Sequence, residues 1–233
     1  MKNFSILISL ILIVESSFGQ TYLTPKVTKD SLKSISISYN LIQACINEHS
    51  LYLDYSPFKH HAFGFSIGKV IDNRVFEVFV LSPSQNVYPG TVYSGKVFRI
   101  NYSYVFRKRR SFDYYAGTQF IYRDMYYNNK KFRDGGDTNV EYLRNEKATV
   151  FGGDIVWGLH SYLHFNKYFS LLFNVYSGIG WRERNRNIDT YEIVWNGSGG
   201  NNVNSPPHLG NESVIQQYVI PIFGVKLGLK IHI

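Results

Sequence analysis

The sequence predicts an all-β chain, an eight-stranded antiparallel up-and-down transmembrane β-barrel. Three observations lead there. Apolar and polar residues alternate with a period of two along most of the chain. The alternating segments number eight, an even count. The gaps between them are short and long by turns.

Each segment sorts its residues onto two faces, which a pleated strand does and a helix does not. In residues 34–41, Ile35, Ile37, Tyr39 and Leu41 share one face and Ser34, Ser36, Ser38 and Asn40 the other. Leu51, Leu53 and Tyr55 mark the second segment. Phe63, Phe65 and Ile67 mark the third, opposite Ala62, Gly64, Ser66 and Gly68. Phe98, Ile100, Tyr102, Tyr104 and Phe106 mark the fourth, opposite Arg99, Asn101 and Ser103. The fifth carries Tyr114, Ala116, Thr118, Phe120 and Tyr122 against Gly117, Gln119 and Arg123. The sixth carries Phe151, Ile155, Trp157, Leu159 and Leu163 against Gly152, Asp154, Gly158, His160 and His164. The seventh sets Phe169, Leu171, Phe173, Val175, Ile179 and Trp181 against Asn174, Gly178, Gly180 and Arg182. The last sets Phe223, Val225, Leu227, Leu229, Ile231 and Ile233 against Gly224, Lys226, Gly228, Lys230 and His232. Several segments exceed the ~5–6 residues of an average globular strand and reach the ~9–11 that a tilted membrane strand needs.

The gaps at 56–60, 107–111 and 166–168 are short, and those at 72–92, 125–147 and 183–214 are long. Only the first gap, near 46–49, breaks the rhythm. Short turns on one rim and long loops on the other are the asymmetry of outer-membrane barrels, and they place the termini on the short-turn, periplasmic rim. The long gaps are polar and rich in turn formers, as in 196–202 and 205–207. The apolar run 75–81 reads as a strand extension above the membrane.

A soluble barrel also alternates, with its apolar face inward. Here the polar face combines glycine with long cations, as in Gly224, Lys226, Gly228 and Lys230, and that mixture fills a narrow lumen. The other face is broad, aromatic and almost free of charge, as hydrocarbon demands.

The first 19 residues have a different composition. Lys2 precedes an apolar run over 4–14, and Ser17-Phe18-Gly19 offers small residues at the −3 and −1 positions before Gln20. This is the layout of a signal peptide, and the run is too short for a membrane helix, which needs about 20 residues. The expected organisation is a signal peptide over 1–19, a periplasmic segment over 20–33 and a barrel over 34–233. Tyr and Phe number 19 and 17 of 233 residues, and Tyr favours a boundary between apolar and wet phases. The one cysteine, Cys45, excludes an intrachain disulfide and reads as a small apolar residue at a strand end. The net charge of +8 is scattered except at Arg107-Lys108-Arg109-Arg110. With no nucleic-acid motif present, it suits anionic headgroups and phosphates of lipopolysaccharide.

The opening strand at 34–41 and the closing run Pro221-Ile222-Phe223-Gly224-Val225-Lys226-Leu227-Gly228-Leu229-Lys230 resemble the small outer-membrane barrels of Bacteroidetes-type bacteria, and more broadly OmpA-like and porin-like eight-stranded barrels. The resemblance implies insertion by the barrel-assembly machinery. The chain departs from it in ending on His232-Ile233 rather than on Phe. Some barrels of this kind are lipid A deacylases or acyltransferases with a Ser, His and acid near the outer rim. Here His160 and Ser161 are adjacent and point to opposite faces, so they make no catalytic pair. His160, His164 and Asp154 share a face, and with Ser170 and Asn174 they form a candidate polar cluster. His160 and His164 lie about 13 Å apart along a strand, too far for one metal. His60 and His61 diverge in a turn.

The expected lumen network therefore comprises Arg99, Asn101, Gln119, Arg123, Asp154, His160, His164, Asn174, Arg182, Lys226 and Lys230, with Asp54 as a further acid. Read structurally it is a salt-bridged filling, and read functionally an anion-selective pore. Eight strands leave room only for side chains, which favours the filling. The expected protein is a non-catalytic, monomeric envelope component without metal or cofactor that binds through its long loops. A lipid-modifying enzyme and a narrow solute pore are the alternatives. Asn-x-Ser matches at Asn101, Asn196 and Asn211 are incidental in a bacterial protein.

Overall fold

The computed structural model describes residues 33–73, 93–108, 112–133, 140–194 and 208–233. The expected leader over 1–19, nearly all of 20–33 and the apolar run 75–81 lie outside the described residues.

The period-two segments are strands in the expected order. They are β1 (Ser34–Asn40), β2 (Glu48–Phe58), β3 (His61–Asn73), β4 (Tyr93–Lys108), β5 (Phe112–Arg133), β6 (Val140–His164), β7 (Phe169–Val194) and β8 (His208–His232). Each pairs antiparallel with the next, and β1 pairs with β8 from Ser34↔His232 to Asn40↔Lys226, closing an eight-stranded up-and-down barrel. In that seam the odd residues of β8 turn their N–H toward β1 and the even ones toward β7. The Ile233 N–H donates to the Lys33 carbonyl at 2.9 Å and the His232 N–H to the Tyr168 carbonyl at 2.8 Å.

Two expectations need correction. Leu41 does not end β1 but starts a short helix, α1 (Leu41–Cys45). Asn40 stops the strand because its carboxamide accepts from the Gln43 N–H at 3.1 Å, the bond of a helix N-cap. Asn47 then turns the chain with φ 60°, a conformation Asn tolerates better than most residues. Cys45 is thus the exposed last residue of a helical turn, not a strand end.

The second correction concerns the long gaps. Much of 125–147 and 183–214 is strand, since β5 continues to Arg133, β6 starts at Val140, β7 continues to Val194 and β8 starts at His208. Their ladders run on without a break in direction, Val140↔Val194 and Asp189↔Asn211 included. The outward residues stop being apolar there, which reads as loop. Inward residues such as Tyr127, Glu146, Arg184 and Ile188 are still buried, so the sheet persists above the apolar band.

The two faces differ as expected for a barrel that meets lipid on its outside. Ile100 is 67% exposed while its neighbour Arg99 is 2% exposed. Outward Phe65, Phe120, Ile155, Ile179 and Phe223 are all exposed, whereas inward Asp154, Arg182 and Lys226 are buried. On β7 the exposed apolar face runs from Phe169 to Trp181. That stretch is about 40 Å along the strand at ~3.3 Å per residue, or about 30 Å of height at a tilt of ~40°, enough to match a bilayer core of ~30 Å.

Inside, polar residues share the lumen with two apolar clusters that alternation did not reveal. Val70, Val97, Ile121, Met125, Tyr127, Ala148 and Val150 form the upper one. Val105, Tyr115, Val156 and Tyr176, with Ile222 against them, form the lower. Glycines make room for the large rings. A Cβ on Gly158 would meet the Tyr115 ring, and one on Gly224 would meet the Tyr176 ring.

Candidate functional site

The arginines of the upper lumen gather around three carboxylates. Glu48, the first residue of β2, takes Arg123 through Nε at 3.1 Å and Nη2 at 2.7 Å, and Arg99 through a close ion pair. Arg99 also donates to Ser50 Oγ at 3.0 Å. Asp154 pairs closely with Arg182 on the next strand and accepts from Gln119 Nε2 at 3.0 Å. Glu146 accepts from Arg186 Nε at 2.6 Å and Nη2 at 2.7 Å, from Arg184 Nη2 at 3.3 Å and from the Tyr127 hydroxyl at 2.8 Å. Glu146 sits above the apolar band, which on β6 ends near Phe151 and gives way to exposed Lys147. Burial alone would raise its carboxyl value, but the Arg186 hydrogen bonds and the charges of Arg186 and Arg184 hold it below the ordinary range.

Two lysines of the lumen meet aromatic rings. Lys226 Nζ lies 3.6 Å from the Tyr52 ring centroid and 5.3 Å from that of Tyr176. Lys230 lies 4.4 Å over Tyr162 and donates to its hydroxyl at 3.3 Å. Such cation–π contacts offset part of the cost of burying an ammonium. Near the short walls, Asn101 donates to Asp54 at 2.6 Å, and a Cβ on Gly64 would collide with both.

Arg99, Gln119, Arg123, Asp154, Asn174, Arg182 and Lys226 are buried and Asn101, His160, His164 and Lys230 half-buried, but they do not form one network. The cluster expected from His160, His164, Asp154, Ser170 and Asn174 is divided. His164 Nδ1 lies 2.7 Å from Ser170 Oγ, which is also 3.1 Å from His232 Nε2. His160 instead stacks on Tyr115 at 4.3 Å between centroids, and Tyr115 donates to Asn174 at 3.0 Å. Asp154 belongs to the Arg182 group higher up. The Ser170–His164 contact has the reach of a nucleophile and its base, yet Ser170 is fully buried between two imidazoles, which leaves no approach for a substrate. His60 and His61 bind Val105 O and the Tyr102 hydroxyl, at 2.6 and 2.9 Å. Among the described residues no group of three His, Cys, Asp or Glu is placed to hold a metal.

Sequence reasoning missed Glu48, Tyr52, Tyr115, Glu146, Tyr176, Arg184 and Arg186. For the β7 pair a signal was present. Arg182, Arg184 and Arg186 have the same parity and form one column on the inner face of β7. On β6 the column beside it is small, with Gly152, Val150 and Ala148 in register with those three arginines. A Cβ on Gly152 would meet the Arg182 side chain, so the small column is what gives the guanidiniums their space.

No protein-family model matches the chain, and no curated protein matches it significantly. Among solved structures it is similar to a major outer membrane protein from Thermus thermophilus, with 10% identity and a TM-score of 0.43 over 85% of this chain and 98% of that one. It is also similar to the outer membrane protease OmpT from Escherichia coli, with 10% identity and a TM-score of 0.24 over 86% of this chain and 93% of that one.

Proposed function

We propose that the protein is a non-catalytic, monomeric component of the bacterial outer membrane, with its termini in the periplasm and the extended β5–β8 wall outside the cell. One observation carries this reading. The barrel exposes apolar residues on its outer face and fills its interior with ion pairs, stacked rings and apolar clusters. A filled lumen supports a structural or binding role over transport, and the buried Ser170 supports no hydrolase.

The outer face meets lipid and, above it, lipopolysaccharide. Insertion by the barrel-assembly machinery follows from the proposed location. The finer likeness to Bacteroidetes-type and OmpA-like barrels rests on the start at Gln20 after Phe18-Gly19 and on the patterns of 34–41 and 221–230. Binding would fall to the upper part of the β5–β8 wall, because a rigid scaffold presents its binding groups where it projects.

Two measurements test the reading. The purified protein should show heat-modifiable migration on a gel and fractionate with the outer membrane. In planar bilayers it should give no steady conductance. A soluble periplasmic protein would overturn the location, and stable open channels would overturn the filled lumen in favour of a pore.

A further inference from the structure

Among the described residues, the guanidiniums of Arg99, Arg123, Arg182, Arg184 and Arg186 share the upper lumen with the carboxylates of Glu48, Glu146 and Asp154. Those carboxylates are already engaged. Glu146 accepts four hydrogen bonds from Arg184, Arg186 and Tyr127, about its whole capacity. Asp154 holds Arg182 and Gln119, and Glu48 holds Arg99, Arg123 and Ser50.

Two donors mark where an anion would sit. Arg182 is 2% exposed, and its Nε is buried without a hydrogen-bond partner. The Tyr218 hydroxyl is buried and likewise has none. Arg182 and Tyr218 are register partners on β7 and β8, and the charges around Tyr218 are Arg184, Arg123 and Arg182. Beside them on β6, Val150 and Ala148 are in register with Arg184 and Arg186 and belong to an apolar cluster with Ile121 and Met125, a surface that strengthens any charge–charge attraction nearby. The level is also informative. Trp181, exposed at the top of the apolar band, immediately precedes Arg182, so the two donors lie where the lumen leaves the bilayer.

We propose that this part of the lumen binds a phosphate group, either free or carried on a lipid headgroup. It would be held by Arg182 Nε and the Tyr218 hydroxyl, with Arg123 and Arg184 beside them. The three oxygens of a phosphate can accept from all of these, and planar guanidiniums suit them well. The site goes beyond the filled-barrel reading and uses that reading only for the fold.

The test uses the full chain in an uncharged detergent, with radiolabelled inorganic phosphate in equilibrium dialysis. A second arm reconstitutes it in phosphatidylcholine vesicles with and without phosphatidic acid and follows the unfolding temperature. Tyr218→Phe removes one hydroxyl and keeps the ring. Arg184→Gln removes one charge and leaves the Asp154–Arg182 pair in place. Heat-modifiable migration confirms that both variants fold. Saturable phosphate binding should weaken at least about tenfold in Arg184→Gln and about fivefold in Tyr218→Phe, the loss expected for hydrogen bonds to a charged group. A response to phosphatidic acid alone, lost in both variants, would assign the same site to a headgroup. Absence of binding in both arms, or binding that either variant leaves untouched, overturns the site.

Discussion

On one side of the ring β1, β2 and β3 are 7, 11 and 13 residues long, while on the other β5, β6, β7 and β8 are 22, 25, 26 and 25. Within the apolar band both walls turn apolar residues outward and fill the inside with polar residues and two apolar clusters. At about 18 Å of height for seven tilted residues, β1 does not cross the band, and α1 completes its top. Above the band only the tall wall continues. Its outward residues turn polar, as in Lys147, Asn185 and Asn187, while its inner face stays filled. On the proposed location, lipid would cover the short wall and the lower half of the tall one. The upper half of the tall wall depends on its ladders and on arginine–carboxylate contacts.

The largest effect should come where the short wall grips the tall one. Glu48 stands at the top of β2 and holds Arg99 on β4 and Arg123 on β5. Glu48→Ala leaves two buried guanidiniums without their carboxylate, which should cost about 3–5 kcal/mol. Urea unfolding in detergent, followed by circular dichroism, measures it. A loss under about 1 kcal/mol would mean that water reaches these arginines and that the short wall does not grip the lumen.

The equivalent change on the tall wall should be smaller and local. Glu146→Gln weakens the contacts to Arg184, Arg186 and Tyr127, a loss of about 1–3 kcal/mol. The lower barrel should keep its protection in hydrogen exchange while the upper parts of β6 and β7 lose theirs. The same carboxylate gives a pH dependence. Its folded value lies below its unfolded one of about 4.3. Its contribution is thus fully present above that unfolded value and is lost as pH falls through the folded one. Exchange in the upper wall should accelerate below about pH 4, and Glu146→Gln should remove that acceleration.

This division also explains what the sequence could reveal. Strand number, strand parity and inward placement follow from local alternation, so Arg99, Asp154 and Arg182 are legible at once. The boundary between membrane band and upper wall is not, because a polar outward face looks the same on a strand and in a loop. That is why 125–147 and 183–214 read as gaps. Partner choice inside the lumen is also invisible, since it depends on shear. Glu48 reaches Arg123, 75 residues away, across two strands. Asp154 and His164 share a face yet find different partners for the same reason.

A change below the division should act through packing rather than charge. Gly224→Ala would press a methyl group against the Tyr176 ring, and overpacking of this kind costs about 1–3 kcal/mol. Replacing Tyr176 by Leu in the same chain should recover part of that loss. A double-mutant cycle in urea measures the coupling, and strict additivity would show that the two side chains do not meet.

The smallest effect should come from the place where the walls part. Above Asn40↔Lys226, β8 has no strand partner on its β1 side among the described residues. Pro221 lies on that stretch, in register with Ile179 of β7. By parity its nitrogen faces the side that β1 has left, as the Ile233 N–H faces Lys33 lower down. A proline is tolerated there because no ladder bond is lost, and it withholds a donor from an open edge. Pro221→Ala should cost only about 0.4–1 kcal/mol, through the greater freedom of the unfolded chain. It should also raise self-association, read by analytical ultracentrifugation in detergent, because the edge regains an N–H. An unchanged monomer fraction, or a gain in stability, would mean that another segment already covers this edge of β8.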